Sequence, residues 1–233
     1  DTFDDFKKFA EDESLNKFEK IGFPKEFRAQ IEGVILDDIV SKVSNIKKSN
    51  QTVLDIGCGV SNLPMHIADL CKKNNNKLIF NDSKEMLSLL PENNAIKIAG
   101  RFPNILEDVK AGAPNGVDVI ICYSVIQYVI FDGSVYSFLD ACLDLLNPGG
   151  QIIIGDIPNE SKRRRFMKSE AGVEFHKNFM DTDEMPNLEF SGNMSGQIND
   201  SILLSIVERA QLSGCNAYIV PQSEELPFDN RRD

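Results

Sequence analysis

The sequence predicts an α/β fold in which a doubly wound, mostly parallel sheet is covered by helices. Two observations predict it: short apolar segments rich in β-branched residues alternate with segments of helical periodicity, and a glycine-rich turn follows the first apolar segment. Strands that are apolar throughout are typical of a parallel sheet buried on both faces. The 233 residues are enough for one large domain, or for one domain with an inserted cap.

Individual strands and helices are placed by the spacing of their apolar residues. The strands are expected near residues 51–56, 77–81, 95–99, 117–123, 150–156 and 215–221. The clearest helical faces between them are Leu63, Ile67 and Leu70, then Val135, Phe138, Leu139, Cys142, Leu145 and Leu146, and finally Ile198, Ile202, Leu203, Ile206, Val207 and Ala210.

Two parts of the chain are predicted, a helical N-terminal extension of residues 1–50 and a main domain of residues 51–233. In the extension, a long helix is expected to begin at Pro24, a residue suited to the first helical position, and to continue to about residue 46. Apolar side chains recur at helical spacing throughout that stretch.

The main domain is predicted to carry an inserted cap at about residues 159–197, after the fifth strand. The cap begins with a basic helix, and the following residues, Ala171 to Gln197, show no clear periodicity. Irregular segments of this length are usually functional lids or disordered stretches. The chain ends at Asp233, where one more strand would be expected.

Composition excludes several classes of partner. A net charge of −11 disfavours broad contact with nucleic acid, and the longest apolar run, residues 117–130, is too short to span a bilayer. The five scattered cysteines include no C-x-x-C pair, and only two histidines are present. We therefore predict a cytoplasmic protein with reduced thiols, no metal centre, no nucleic acid partner and no membrane segment.

The glycine-rich turn, Gly57 to Gly59, carries the strongest chemical signal. At the carboxyl edge of a doubly wound sheet, glycines let the backbone approach a ligand and adopt positive φ. Nicotinamide enzymes use a related turn, so an oxidoreductase remains an alternative. Against it, the third glycine is absent, and Asp55 would repel a pyrophosphate while it suits an ammonium or sulfonium group.

Two motifs in order, D-I-G-C-G at 55–59 and L-N-P-G-G at 146–150, carry a family resemblance. The sequence resembles the class I S-adenosylmethionine-dependent methyltransferases over roughly residues 50–221. This resemblance implies a Rossmann-like methyltransferase fold, S-adenosylmethionine as the cofactor, and a small-molecule acceptor.

The resemblance also implies a set of cofactor contacts. The methionine end would lie on the glycine turn, the ribose hydroxyls on the acid that follows the second strand, and the transferable methyl beside the end of the fourth strand. The implied residues are Asp55, Gly57, Cys58, Gly59, Asp82, Ser83, Met86, Arg101, Phe102, Tyr123 and Ser124.

Some of these positions have structural alternatives or depart from the family pattern. Asp82 could be a solvated turn residue, and Met86 a core methionine that never meets adenine. Arg101 stands where the family often has a carboxylate for the adenine amino group, and arginine cannot accept that hydrogen bond. Gln127 stands where the family frequently has histidine.

Three candidate features belong to the acceptor. Tyr128 faces either the substrate or the core. Arg163, Arg164 and Arg165 form an anion clamp in one interpretation and a solvated helix face in the other. His176 is the candidate general base for an alcohol, with a packing role as its alternative.

The predicted function is methyl transfer from S-adenosylmethionine to a small-molecule acceptor, which is anionic if the three arginines form a clamp. The runs at residues 18–24 and 226–233 resemble methyltransferases of bacterial surface-polysaccharide clusters, which implies O-methylation of a sugar or of a phosphorylated sugar modification. The alternatives are an N-methyltransferase of another metabolite and a non-catalytic partner subunit that binds S-adenosylmethionine.

Overall fold

The computed structural model describes residues 2–188 and 198–233. Its five strands are β1 (Thr52–Ile56), β2 (Lys77–Asp82), β3 (Ile96–Ala99), β4 (Val117–Tyr123) and β5 (Leu146–Gly155). Its α-helices are α1 (Phe3–Glu11), α2 (Lys25–Arg28), α3 (Glu32–Lys42), α4 (Leu63–Lys73), α5 (Lys84–Leu89), α6 (Leu106–Gly112), α7 (Ile126–Asp132), α8 (Val135–Leu145), α9 (Glu160–Met167), α10 (Glu170–Met180) and α11 (Asp200–Leu212).

The chain divides into two compact units, Asp1–Gly155 and Asp156–Asp233. The first unit contains the whole sheet with α1 to α8, so the N-terminal helices pack within it, α1 on α5 and α3 on α4. The second unit contains α9, α10 and α11. The division into an extension, a main domain and a cap remains a prediction.

All neighbouring strands of the sheet are parallel, in the order β3-β2-β1-β4-β5. The central strand β1 pairs on one side with β2, where Leu54 lies opposite Ile79, and on the other with β4, where it lies opposite Ile120. All three side chains are fully buried, which explains why the middle of each of these strands is apolar. The predicted doubly wound α/β fold is confirmed.

The reversal of strand order at β1 determines where a ligand can bind. From β1 the chain moves outwards to β2 and β3, and it then returns to the other side of β1 for β4 and β5. The connections that follow β1 and β4 therefore leave the sheet in opposite directions and open a crevice between them. The glycine turn follows β1, so the topology positions it at this crevice.

The predicted sixth strand, at residues 215–221, is wrong. The segment forms no strand in the structure, and Tyr218 is 76% exposed. An apolar segment becomes a strand only where a neighbouring strand completes its hydrogen bonds, and Pro221 has no N–H to donate. Within the described part of the second unit, the only strand-like pairing is an isolated antiparallel bridge between Pro158 and Arg232. Beside it, the backbones of Ile157 and Asp233 exchange hydrogen bonds of 2.7 and 2.9 Å.

The single long helix expected from Pro24 is interrupted. Pro24 precedes α2 as its extended cap residue, and a turn separates α2 from α3. In that turn the N–H of Ile31 donates to the carbonyl of Arg28 at 3.2 Å, a spacing of three residues instead of four. The apolar spacing in the sequence does not reveal this turn, because one tighter turn of helix hardly changes which side chains are buried.

The segment Ala171 to Gln197 is not irregular throughout, because α10 occupies its first part. Ser169 caps this helix by accepting a hydrogen bond from the Gly172 N–H at 3.1 Å. Phe179, on the same helix, is 52% exposed, so the apolar residues of α10 do not all lie on one buried face. The sequence therefore lacks the clear helical spacing of a buried face. Residues 189–197 lie outside the described residues.

None of the helices in the described ranges is both long and apolar enough to cross a membrane.

We expect Phe138→Ala to destabilise the first unit strongly. Phe138 is 1% exposed and meets Phe102 edge to face, with ring centroids 5.2 Å apart. Truncation of a buried phenylalanine costs about 3–5 kcal/mol, which urea denaturation followed by circular dichroism would measure. The matched control is Phe131→Ala, because Phe131 is 62% exposed, and a change within about 0.5 kcal/mol is expected there. Equal losses in the two variants would contradict this description of the core.

Candidate functional site

A cavity of the first unit lies at the carboxyl ends of β1, β2 and β4. It brings together most of the residues that the sequence singled out for a ligand. The predicted residues that line it are Asp55, Gly57, Cys58, Gly59, Asp82, Met86, Arg101, Phe102, Tyr123, Ser124 and Tyr128.

The glycine turn requires glycine on steric grounds as well as conformational ones. Gly57 and Gly59 have φ values of +69° and +64°, in the left-handed region. A Cβ on Gly57 would lie 2.6 Å from Cγ2 of Val125, and one on Gly59 would lie 2.7 Å from Cγ2 of Ile21. Other residues would therefore be strained in both backbone and contacts.

Asp82 forms the acidic wall of the cavity at the end of β2. Its Oδ2 accepts the Gly59 N–H at 2.9 Å, and its Oδ1 accepts the Ser83 N–H at 2.7 Å. Burial raises the pKa of this carboxyl to about 6, although the two N–H donors act in the opposite direction. Each carboxylate oxygen has a further acceptor site, so Asp82 can still receive two hydroxyl donors.

Ser83 differs from its predicted role, because it lies beside the cavity without lining it. Its side chain caps α5, where Oγ accepts the Met86 N–H at 3.1 Å. The capping bond holds Met86 in the cavity wall, where it is 2% exposed. Ser83 therefore supports the cavity through the helix that it caps.

Asp55 is a second buried carboxyl in the same cavity, 3% exposed. Within residues 2–188 and 198–233, no group donates a hydrogen bond to its oxygens. Burial, followed by the negative charge of Asp82, raises the pKa of Asp55 to about 8. A cationic or hydrogen-bond-donating ligand would relieve both effects.

Arg101 and Phe102 follow β3 in the chain and lie in the wall of the cavity. Arg101 forms an ion pair with Asp132, with Nη1 and Oδ2 2.9 Å apart, and also donates to the Asp132 carbonyl. Phe102 is buried against Phe138. Arg101 therefore holds α7 in place. Its side chain cannot accept the hydrogen bond from adenine that an acid at this position accepts in the family.

The end of β4 positions Tyr123 and Ser124 at the cavity. Ser124 has a φ of +61°, which is uncommon for a residue with a side chain, and its N–H donates to the Gly155 carbonyl at 3.0 Å. Gln127 donates to the Ser124 carbonyl at 2.9 Å, but its Oε1 is buried without a partner in the described part of the chain. Strained and unsatisfied groups of this kind cluster at functional sites.

One wall of the cavity comes from the N-terminal helices, and the sequence reasoning missed it. Tyr128 meets this wall edge to face at Phe6, with ring centroids 4.8 Å apart. The contributing residues are Phe3, Phe6, Ile21, Phe23 and Arg28. The available signal was the Arg28–Glu32 pair, two opposite charges four residues apart on an otherwise apolar helical face.

Four residues predicted to act on the acceptor, Arg163, Arg164, Arg165 and His176, lie in the second unit. Arg163 pairs with Glu160 at 3.0 Å, and Arg165 pairs with Asp200, so both of these arginines already have an acidic partner. The side chain of His176, half-buried on α10, makes no hydrogen bond among the residues that the structure describes. No cluster of three or more potential metal ligands occurs in the described ranges.

The parallel sheet, the glycine turn and the two acids define an α/β domain with a candidate ligand site at its switch point. Comparison with known families identifies it further. Residues 47–211, more than half of the chain, match a family model described as a methyltransferase domain. The chain belongs to this family of methyltransferase domains.

One solved structure with a TM-score above 0.5 agrees with this fold at low sequence identity, and a second aligns less well. The plantazolicin methyltransferase BpumL, crystallised with a pentazolic desmethylPZN analog and SAH, aligns over 91% of this chain and 77% of its own, with 15% identity and a TM-score of 0.54. The precorrin-6y C5,15-methyltransferase of Geobacter metallireducens aligns over 63% and 71%, with 15% identity and a TM-score of 0.43.

Other matched structures are longer than the aligned region. A Haemonchus contortus phosphoethanolamine N-methyltransferase 1 aligns over 64% of this chain and 31% of its own, with 16% identity and a TM-score of 0.43. The chain spans about a third of AibC (30%) and of a mycobacterial quinone oxidoreductase (36%). The comparison with curated proteins found no match.

The two buried acids predict a stability that falls as pH rises. Between its ordinary pKa of 3.8 and about 8, the folded protein holds a proton on Asp55 that the unfolded chain has lost. Stability should therefore decrease from about pH 5 to about pH 8, and Asp55→Asn should flatten this decrease, since asparagine does not ionise. Thermal unfolding of the ligand-free protein across this range would measure both slopes.

The control for this prediction is Asp69→Asn. Asp69 is an exposed acid of α4 that does not line the cavity. Its variant should keep the wild-type dependence of melting temperature on pH. The same slope in the wild type and in Asp55→Asn would show that Asp55 does not hold the proton.

Proposed function

We propose that the chain transfers a methyl group from S-adenosylmethionine to a small-molecule acceptor. The observation that carries the proposal is the joint presence, in one cavity, of the glycine turn, the half-satisfied Asp82 carboxylate and the buried Asp55. Membership of the methyltransferase domain family supports it, as does the SAH in the similarly folded BpumL structure.

The residues present fit this cofactor. Asp82 retains acceptor capacity for the two ribose hydroxyls, and Asp55 suits the positive charges of the methionyl part. Met86 and Phe102 offer apolar surface for adenine. When bound, S-adenosylmethionine supplies an electrophilic methyl group with its own leaving group, so the protein mainly orients the acceptor and excludes water.

For the acceptor, we propose O-methylation of a sugar or of a phosphorylated sugar modification in surface-polysaccharide synthesis. The resemblance of residues 18–24 to such enzymes supports it, and two residues of this run, Ile21 and Phe23, line the cavity. N-methylation of another metabolite uses the same cavity and remains the alternative. The clamp of Arg163, Arg164 and Arg165 stays a proposal, in which an anionic acceptor would compete with Glu160 and Asp200.

A non-catalytic partner subunit is the second candidate function. It is favoured by the side chain of Gln127, which is buried where the family frequently has histidine, and by Arg101, which is occupied by Asp132. Such a subunit would bind S-adenosylhomocysteine but release none from S-adenosylmethionine with any acceptor.

Asp82→Ala should weaken binding of S-adenosylmethionine by roughly ten- to a hundredfold, because charge-assisted hydrogen bonds to two hydroxyls are lost. Titration calorimetry would measure the dissociation constant. Asp69→Ala removes an equal charge outside the cavity and should leave it unchanged. Unaltered affinity in a folded Asp82→Ala protein would exclude the ribose assignment, and a wild type that binds neither S-adenosylmethionine nor S-adenosylhomocysteine would exclude the function.

We propose His176 as the general base for an alcohol acceptor. With an acceptor found by S-adenosylhomocysteine release from a panel of sugars and sugar phosphates, His176→Asn should lower turnover by about 10²–10⁴-fold and spare cofactor affinity. His66→Asn is the matched control, because His66 is exposed on α4 and does not line the cavity. Turnover within about threefold of the wild type in both variants would assign His176 a structural role.

A further inference from the structure

Arg231 is a half-buried arginine of the second unit whose side chain has no acidic partner among the described residues. It ends a short turn of 3-10 helix, Asp229–Arg231, that packs against α9. In the part of the chain that the structure describes, its guanidinium forms no ion pair and donates no hydrogen bond. A guanidinium has five N–H donors, so Arg231 keeps its full capacity for an acceptor on a ligand.

One face of this guanidinium is covered by an aromatic ring. The Cζ atom of Arg231 lies 3.8 Å from the ring centroid of Phe228. Phe228 in turn meets Phe179 edge to face, with centroids 6.4 Å apart, and Phe179 stacks on Phe175 at 5.6 Å. A stacked guanidinium keeps its edge, where the N–H groups point, for planar contacts with an oxyanion.

Two further arginines surround Arg231 with positive charge. Burial, and after it the charges of Arg232 and Arg163, lower the pKa of Arg231, which nevertheless stays charged at neutral pH. Both neighbours have acids of their own, since Arg163 pairs with Glu160 at 3.0 Å and Arg232 pairs with Asp156 at 3.1 Å. Arg231 is therefore the member of this group whose charge no described acid balances, and an anion would be attracted by all three.

Main-chain hydrogen bonds hold Arg231 beside α9. The carbonyl of Arg231 accepts the Asn159 N–H at 3.0 Å, and the carbonyl of Asn159 accepts the Arg163 N–H at 2.9 Å. Asn159 is 3% exposed, and its side chain caps α9 by accepting the Lys162 N–H at 3.2 Å. The backbones of Arg163 and Arg231 are thus joined through one buried residue, so an anion would bind to a group that is already in place.

The charge and shape of phosphate fit this group better than those of a carboxylate. A phosphate monoester carries a charge of about −1.5 to −2 at neutral pH and has three strong acceptor oxygens. Two of them can bind the edge of Arg231 as a fork, which leaves the third for a second arginine. The larger charge also competes better with Glu160 for Arg163.

We propose that Arg231, with Arg163 beside it, binds the phosphate group of a phosphate monoester in the second unit. Phe228 is the positioning residue that holds the guanidinium for this contact. The phosphorylated acceptor proposed above is one source of such a group, and free inorganic phosphate is the other. The inference goes beyond methyl transfer, and phosphate binding is measured without it, so a failure of either one is distinguishable from a failure of the other.

The first test follows the Nε–H signal of Arg231 by nuclear magnetic resonance in the isotope-labelled wild-type protein. Arg231→Gln identifies this signal by its loss. Inorganic phosphate and glucose 1-phosphate should each shift it until it saturates, whereas sodium chloride at equal ionic strength only screens charge and should not. Tighter binding of glucose 1-phosphate would identify a sugar phosphate as the ligand, and equal binding would identify phosphate alone.

The proposal is overturned if neither phosphate probe shifts the Arg231 signal, or if chloride shifts it to the same extent. Both results would show that the arginines attract anions only through their general charge.

The second test compares Arg231→Gln with Lys168→Gln, using the main-chain N–H signals of α9 to measure phosphate affinity. Both changes remove one positive charge, but Lys168 is exposed, follows α9 and forms no ion pair among the described residues. Arg231→Gln should weaken phosphate binding about tenfold or more, and Lys168→Gln should stay within about twofold of the wild type. Wild-type affinity in Arg231→Gln, or equal losses in the two variants, would contradict the proposal.

Conservative variants separate recognition from a merely structural role. If Arg231→Gln does not fold, Arg231→Lys replaces it, because the charge remains while the planar fork is lost, and weaker binding is expected. Phe228→Leu should also weaken phosphate binding, and Phe228→Tyr, which keeps the ring, should restore it to within about twofold of the wild type. Equal affinities in the leucine and tyrosine variants would show that the ring does not position the guanidinium.

Discussion

The attachment of the glycine turn to the end of β2 is the constraint on which the site depends. The Asn81 carbonyl accepts the N–H groups of Gly57 and Cys58 at 2.8 and 3.3 Å, and the carboxylate of Asp82 accepts the next N–H, from Gly59, at 2.9 Å. Three consecutive donors of the turn thus end on the neighbouring strand. They fix the turn in the left-handed region, and the sheet can therefore present a preformed cavity at its switch point.

This arrangement has an electrostatic cost that the protein does not compensate internally. Asp55 and Asp82 are close enough for the charge of one to raise the pKa of the other, and burial raises both. Arg28, a buried cation that lines the same cavity, is paired with Glu32 instead. Groups that break the usual rules for burial are expected at functional sites, where a ligand completes the interactions.

The parts predicted correctly from the sequence depend on short-range patterns. The five strands follow from short apolar runs rich in β-branched residues, and the turn at Gly57 follows from its glycines. The failed strand at residues 215–221 had the right local composition, but strand formation requires a partner that local composition does not encode. The interruption before α3 was not predicted for a related reason, since apolar spacing is nearly unchanged by one tight turn.

The N-terminal wall could not be predicted because it depends on contacts between distant parts of the sequence. Arg28 and Ser124 are 96 residues apart, and Ile21 packs against the glycine turn from outside the motif region. The sequence motif therefore describes the half of the cavity formed by strand ends, where the chemistry is set by the cofactor. The other half is built from N-terminal residues that no motif includes, and it meets Tyr128 through the ring of Phe6. Since acceptor selection requires contacts that differ between enzymes of one fold, this helical wall is where we expect the specificity of the chain to be determined.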